Sequence, residues 1–191
     1  MIKTVESQRM PLQNAPLWPL SVVAYRALGE AGLIPKNTEL LYGFVYRKMS
    51  KSPIHSSLAM RLARMLQAVV ESGLLVRTEQ PITCIDSEPE PDVSAVRGTE
   101  QDFWNDHPNT AELVIEVCIT SADYDRSKLP AYAAAGVKEC WLVLGEKNQI
   151  EVYRHPAGDK FAECSTHGPG GKITSSSVPE FTVELDALFT R

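Results

Sequence analysis

The segment Glu112 to Ile119 constrains the fold more than any other part of the chain. Read as a strand, it turns Leu113, Ile115, Val117 and Ile119 to one face and Glu112, Val114, Glu116 and Cys118 to the other. The first face belongs in a core. The second is too mixed for open solvent, and it presents a carboxylate in mid-strand beside Val114 and Cys118. Burying a carboxylate is costly unless a cation or hydrogen-bond donors meet it. A half-exposed strand with solvated glutamates is the plainer alternative.

The surrounding pattern supplies helices and further strands for such a core. Ser21 caps a short helix, Val22 to Ala31, that Gly32 ends. Residues 38–49 read as two short strands folded about Gly43. Ser52-Pro53 starts a longer helix that runs to about Ser72 and stops at Gly73. Its Ile54, Leu58, Leu62, Met65, Leu66 and Val69 make one apolar stripe. Strands are expected at Leu74–Thr78, Ile82–Ile85 and Asp92–Val96, then at Glu112–Ile119. A helix follows from about Asp125 to Ala135, then strands at Glu139–Leu144, Ile150–Tyr153 and Phe161–Cys164, with a last edge strand at Phe181–Leu185. Gly168-Pro169-Gly170-Gly171-Lys172 resembles a phosphate loop only superficially. Ile173 stands where serine or threonine is required and Pro169 removes an amide, so a hairpin turn is expected. The result is an α/β (α+β) sandwich, with residues 1–17 as a loose leader and 18–191 as one domain.

Charge and cysteine usage narrow the function classes. The formal net charge is −5, so any contact with nucleic acid needs a local groove, one that a homodimer can assemble. Cys84, Cys118, Cys140 and Cys164 form no C-x-x-C pair, which argues against zinc and a disulfide framework and for free thiols in a reducing cytosol. Residues 1–16 hold no apolar signal core, and no run approaches the roughly 18 apolar residues of a membrane span. A cytoplasmic protein is expected.

Three residues between Glu90 and Trp141 carry the chemical argument. Asp92 opens a strand directly after Pro91, and Glu116 lies within what can be the neighbouring strand. Two such acids can converge on a divalent ion, since magnesium takes one or two carboxylates with waters and phosphate oxygens. The main-chain carbonyl of Val117 can add a third oxygen. Lys128 lies twelve residues beyond Glu116, with Tyr132 one helical turn later on the same face. Its ammonium can orient an attacking water or offset charge on a phosphate. Ala133, Ala134 and Ala135 let that helix approach a sheet. Each residue also has an ordinary reading: Asp92 as a turn aspartate, Lys128 as a solvated surface lysine. His55, in the first turn of the long helix, reads as an acceptor-capable imidazole or an exposed histidine, and Glu39 as a plain surface acid.

Six blocks taken together resemble the Uma-two family, described as restriction-endonuclease-like and as a branch of the PD-(D/E)XK nuclease superfamily. They are Glu39-Leu40-Leu41-x-Gly43, Met49-Ser50-x-x-Pro53-x-His55, Pro91-Asp92-Val93, Leu113-Val114-Ile115-Glu116-Val117, Lys128-x-x-x-Tyr132-x-x-x-Gly136-Val137 and Glu139-x-Trp141-Leu142-Val143. The resemblance runs from about residue 20 to the end. It implies a restriction-endonuclease-like fold, a central mixed sheet flanked by helices, with Asp92 and Glu116 as the metal-binding acids. The lysine expected two positions after the glutamate is absent. Cys118 stands there, and the family lysine matches Lys128, followed by the family tyrosine at Tyr132. Glu39 and His55 match positions that the family fills with the same residue types. Tyr42 and Phe44 depart from the usual acidic flanks of the glycine, and Cys118-Ile119-Thr120-Ser121 departs from a Leu-Ser-Pro-like segment.

The expected activity is that of a Mg2+- or Mn2+-dependent endonuclease acting on nucleic acid, with DNA favoured. Asp92, Glu116 and the Val117 carbonyl hold the ion, Lys128 positions the nucleophile, and Tyr132 supports them. Glu39 and His55 support them too, either backing the ion's ligands or taking part in a second metal site. The competing expectation is a catalytically silent module of the same fold that binds nucleic acid or a protein partner. A structural subunit of a larger system is the third.

Overall fold

The computed structural model describes residues 16–71 and 73–190, so the expected leader lies almost wholly outside the described residues, as does Ser72. Helix α1 (Val22–Glu30) starts where Ser21 Oγ accepts the Ala24 amide at 3.1 Å. Strands β1 (Thr38–Leu41) and β2 (Phe44–Arg47) form a hairpin. Its two turn residues, Tyr42 and Gly43, both take positive φ, +54° and +77°. That is the turn whose twist matches the flanking strands. A Cβ on Gly43 would lie 2.3 Å from that of Pro19, so only glycine lets residues 19–20 cross the turn.

Helix α2 (Pro53–Gln67) begins as expected, with Ser52 accepting from the His55 amide. Leu58, Leu62 and Leu66 are buried, whereas Ile54, expected in the same stripe, is exposed. The helix ends before its expected limit because the β-branched pair Val69 and Val70 leaves it to pack against the core. Gly73, at φ +92°, then turns the chain into β3.

Six strands make the central sheet in sequence order: β3 (Leu74–Thr78), β4 (Val93–Arg97), β5 (Leu113–Cys118), β6 (Glu139–Leu144), β7 (Gln149–Ala157) and β8 (Lys160–His167). All neighbours are antiparallel except β5 and β6, which α3 (Ala122–Ala134) connects. Helix α2 and the C-terminal elements cover the face of Leu113, Ile115, Val117, Trp141 and Val143. Helix α3 covers the face of Val114 and Cys140, with Tyr132. The sheet is therefore mixed and flanked by helices, the fold class expected. Strand β5 is buried on both faces, and its Glu112 and Glu116 are only 5% and 2% exposed. The solvated-glutamate alternative does not hold.

Other expectations need correction. Residues 82–85 join no sheet ladder. The Ile82 amide donates to Pro89 and that of Cys84 to Ser87, which closes a compact loop in a stretch where Pro81, Pro89 and Pro91 remove ladder donors. Helix α3 starts three residues early, and β7 and β8 extend beyond their expected ends. Residues 168–172 form a turn between β8 and β9 (Lys172–Thr174), not within a hairpin. Strand β9 pairs instead with β10 (Thr182–Glu184), so the last strand is not an edge of the main sheet. A short helix, α4 (Leu185–Phe189), follows. All four cysteines are free. No described helix is long and apolar enough to cross a membrane.

Glu139, wholly buried on β6, fastens the β9–β10 connection to the sheet. It accepts from Trp141 Nε1 at 2.8 Å, Arg154 Nε at 3.0 Å, Ser175 Oγ at 2.9 Å and the Ser176 amide at 2.7 Å. Trp141 also stacks on Phe181, with centroids 5.2 Å apart. Burial alone would push the Glu139 carboxyl up, but these donors hold it below its ordinary value of 4.5. With the folded value below the unfolded one, the stabilisation is present above about pH 4.5 and is lost as pH falls through the folded value. Glu139→Ala is expected to cost about 3–5 kcal/mol at pH 7. Urea titration should find that deficit at pH 7 and a clearly smaller one at pH 3.

Candidate active site

Strand register creates the site. Strand β4 runs antiparallel to β5 with Val93 opposite Ile115, so one further step sets Asp92 opposite Glu116. Asp92 lies just before the first residue of β4 and is 7% exposed. Its Oδ2 accepts from the Val117 amide at 2.8 Å and faces His55 Nε2 at 3.1 Å. Its Oδ1 takes the Lys51 ammonium at 3.1 Å. Burial would raise this carboxyl, yet the His55 ring, the Val117 amide and Lys51 together hold it below the usual aspartate value.

Glu116 meets the opposite environment. Its Oε1 accepts from Tyr132 Oη at 2.8 Å and from Lys128 Nζ at 3.2 Å. Burial pushes its carboxyl up to about 8, Lys128 opposes the rise, and Asp125, Asp92 and Glu39 add to it. Lys128 is 4% exposed and lies 3.3 Å from Glu39, 3.2 Å from Glu116 and 3.4 Å from Asp125. Burial alone would lower its pKa, but the three carboxylates outweigh that and raise it well above the ordinary lysine value. Lys128 therefore stays protonated. It also lies over the Tyr124 ring, 5.2 Å from the centroid.

The residues proposed from sequence thus come together, and the surface reading of two of them fails. Glu39 on β1 is 2% exposed. Its Oε1 accepts from Tyr124 Oη at 2.9 Å, and its Oε2 from the Glu90 amide at 3.3 Å. Lys128 is buried among acids, not solvated on a helix surface. His55 turns Nε2 to Asp92, while its buried Nδ1 has no hydrogen-bond partner among the described residues.

Six participants escaped the sequence reading: Tyr124, Asp125, Lys48, Lys51, Glu79 and Glu90. Tyr124, Lys128 and Tyr132 recur every fourth residue, and Asp125 precedes Lys128 by three, so helical spacing offered a signal for the first two. Lys51 and Glu79 lie outside regular spacing and offered none. Except for Tyr132, which is wholly buried and bonded to Glu116, these groups surround one cleft of about 500 Å³. In it the carboxyl groups of Glu39, Glu79, Glu90, Asp92, Glu116 and Asp125 meet three ammonium groups, those of Lys48, Lys51 and Lys128, besides His55. Counting these groups alone, the cleft carries an excess of two negative charges while Glu116 is protonated and of three once it ionises above about pH 8.

The family model described as "Uma2: Putative restriction endonuclease" matches residues 34–187. Among solved structures, a "putative nuclease belonging to DUF820" from Anabaena variabilis ATCC 29413 is similar, with a TM-score of 0.72 at 19% identity. The match covers 85% of this chain and 96% of that one, and at such identity it speaks for the fold. No curated protein matches the chain.

The Glu116 environment makes a test that needs no substrate. Its folded value lies above the unfolded one of 4.5, so the stabilisation is complete below pH 4.5 and is lost as pH rises through about 8. Glu116→Gln carries no charge at any pH. In chelator it is expected to melt roughly 5 °C above the wild type at pH 9 and close to it at pH 5. Equal melting temperatures at pH 9, read by scanning calorimetry, would mean that Glu116 ionises without penalty.

Proposed function

This chain belongs to the Uma2 family, and we propose that it is a metal-dependent endonuclease that hydrolyses phosphodiester bonds of nucleic acid, DNA in preference. One observation carries the reading: Asp92 and Glu116 lie side by side through the β4–β5 register, with the Lys128 ammonium 3.2 Å from Glu116.

The donor set suits a hard divalent cation. The cleft is rich in carboxylate oxygen and short of positive charge, and Glu116 is under-compensated enough to hold its proton up to about pH 8. Magnesium and manganese use one or two carboxylates, with waters and phosphate oxygens completing the shell. Asp92, Glu116 and the Val117 carbonyl are the protein's share. Among the described residues no three His, Cys, Asp or Glu side chains form a ready cage. When bound, the ion lowers the pKa of a water and polarises the scissile phosphate.

The chain's own groups do the rest. Lys128, unable to give up its proton, acts as a fixed charge and not as a base. Glu39 and Asp125 anchor it, and Tyr132 fixes the Glu116 carboxylate. The oxygens of Glu39 are already engaged by Tyr124, Lys128 and the Glu90 amide, which favours a positioning role over a second metal site. His55 and the Val117 amide aim Asp92. The excess of negative charge is also what a silent binding module would tolerate, and this second reading predicts neither metal binding nor cleavage.

Asp92→Asn and Glu116→Gln are each expected to abolish chelator-sensitive cleavage of plasmid and oligonucleotide substrates while circular dichroism retains the native spectrum. Lys128→Met is expected to lower kcat by about 10²–10³-fold. Retained metal-dependent cutting in either acid variant would sink the assignment, and a wild type that neither binds Mn2+ nor cleaves supports the silent module.

A further inference from the structure

Lys51 stands one residue before the Ser52 cap of α2, at the wall of the cleft. Its ammonium lies 3.1 Å from Asp92 Oδ1 and 2.9 Å from Glu79 Oε1. It therefore covers the one Asp92 oxygen that neither His55 nor the Val117 amide engages. Of the two Asp92 oxygens, it alone is held by nothing but a side chain from the cleft wall.

Glu79 is an unusual second partner. Its backbone is left-handed, φ +54°, a conformation uncommon for a residue other than glycine. Its amide donates to the carbonyls of Pro91 at 3.1 Å and Asp92 at 3.3 Å. The left-handed residue is thus locked to the backbone of the very acid that Lys51 covers, and its exposed carboxylate gives the same ammonium a second seat. Such strained conformations persist where neighbours over-determine them, and they cluster at functional sites.

We infer that Lys51 is a displaceable cation, which covers Asp92 until a divalent ion takes that oxygen, stays anchored by Glu79, and then meets a substrate phosphate at the cleft mouth. The inference rests on the metal-dependent nuclease reading. The two site lysines differ in the way this needs. Lys128 is 5% exposed along its side chain and held by three carboxylates, whereas Lys51 is 37% exposed. Asp92 is nearly buried in its pair with Lys51, but that single ammonium is shared with Glu79, so a doubly charged ion can take the Asp92 oxygen while Lys51 keeps a partner. Covering Asp92 with a lysine lowers the negative charge that a polyanionic substrate meets, at some expense to metal affinity. Losing Lys51 should therefore move the two affinities in opposite directions, which a merely structural residue would not do.

The test uses Lys51→Gln and Lys51→Arg in the full chain, with melting temperature as the check on folding. Calorimetric titration with Mn2+ is expected to show a dissociation constant about threefold to tenfold lower for Lys51→Gln, and near the wild-type value for Lys51→Arg. In saturating Mn2+, a fluorescent oligodeoxynucleotide with cleavage-resistant phosphorothioate linkages is expected to bind Lys51→Gln about threefold or more weakly, read by anisotropy. Unchanged Mn2+ affinity in Lys51→Gln overturns the displacement. Tighter Mn2+ binding with unchanged oligonucleotide affinity overturns the phosphate contact. A wild type that binds no Mn2+, or an Asp92→Asn variant that binds it equally well, overturns the nuclease reading itself and this inference with it.

Discussion

The architecture of the cleft depends on burying one ammonium, that of Lys128, among Glu39, Glu116 and Asp125. The three acids come from β1, β5 and α3, so a single cation joins the hairpin, the central sheet and the crossover helix. Interior ion pairs often return less than their desolvation costs, and apolar replacements of similar volume are frequently as stable. Stability alone is thus a poor reason for this cluster. Its stoichiometry is more telling. Three carboxylates on one lysine would leave two negative charges in the interior if all were ionised, and burial answers that excess at Glu116, whose carboxyl is pushed up to about 8. A second cation would relieve it.

The two central acids occupy facing positions yet live in opposite surroundings. Asp92 accepts from a main-chain amide and is met by an imidazole and an ammonium, and it is held in its charged form. Glu116 has a phenol and one shared lysine, and it is pushed toward its neutral form. Paired carboxyl groups whose environments drive them apart are a recurring basis for dividing chemical roles. Here the division follows from topology. Asp92 sits at the start of its strand, within reach of the α2 N-terminus, whereas Glu116 sits in mid-strand under α3.

How much of this was legible in the sequence depended on whether a residue's environment follows from local periodicity. The alternation of Glu112 to Ile119 sorted both faces of β5 correctly, because every residue there is covered from one side or the other. The spacing of Lys128 and Tyr132 placed both on one face of α3, and both reach Glu116. Glu39 could be singled out only by resemblance, since its burial is imposed by α3 and by the Glu90 amide, 51 residues along the chain. Residues 82–85 had the composition of a strand but spent their amides on the closure of a loop. Lys51 and Glu79 meet only because the chain folds β3 beside the start of α2, which no local pattern encodes.

Cys118 shows why spacing can mislead where burial does not. It lies on the same face of β5 as Glu116, two residues along, where the superfamily pattern leads one to expect a lysine. It is 1% exposed and packs with Leu142 and Leu144, and burial drives its thiol far above the ordinary value, so it is an inert apolar filler. The cationic role has not been lost with it. A buried carboxylate in mid-strand needs a cation, whichever element supplies it. Helix α3 packs against the β5 face that carries Glu116, and Lys128 on that helix reaches the carboxylate at 3.2 Å. The determinant is therefore the desolvated acid, and the position of its lysine along the chain is free to move to any element packed over it.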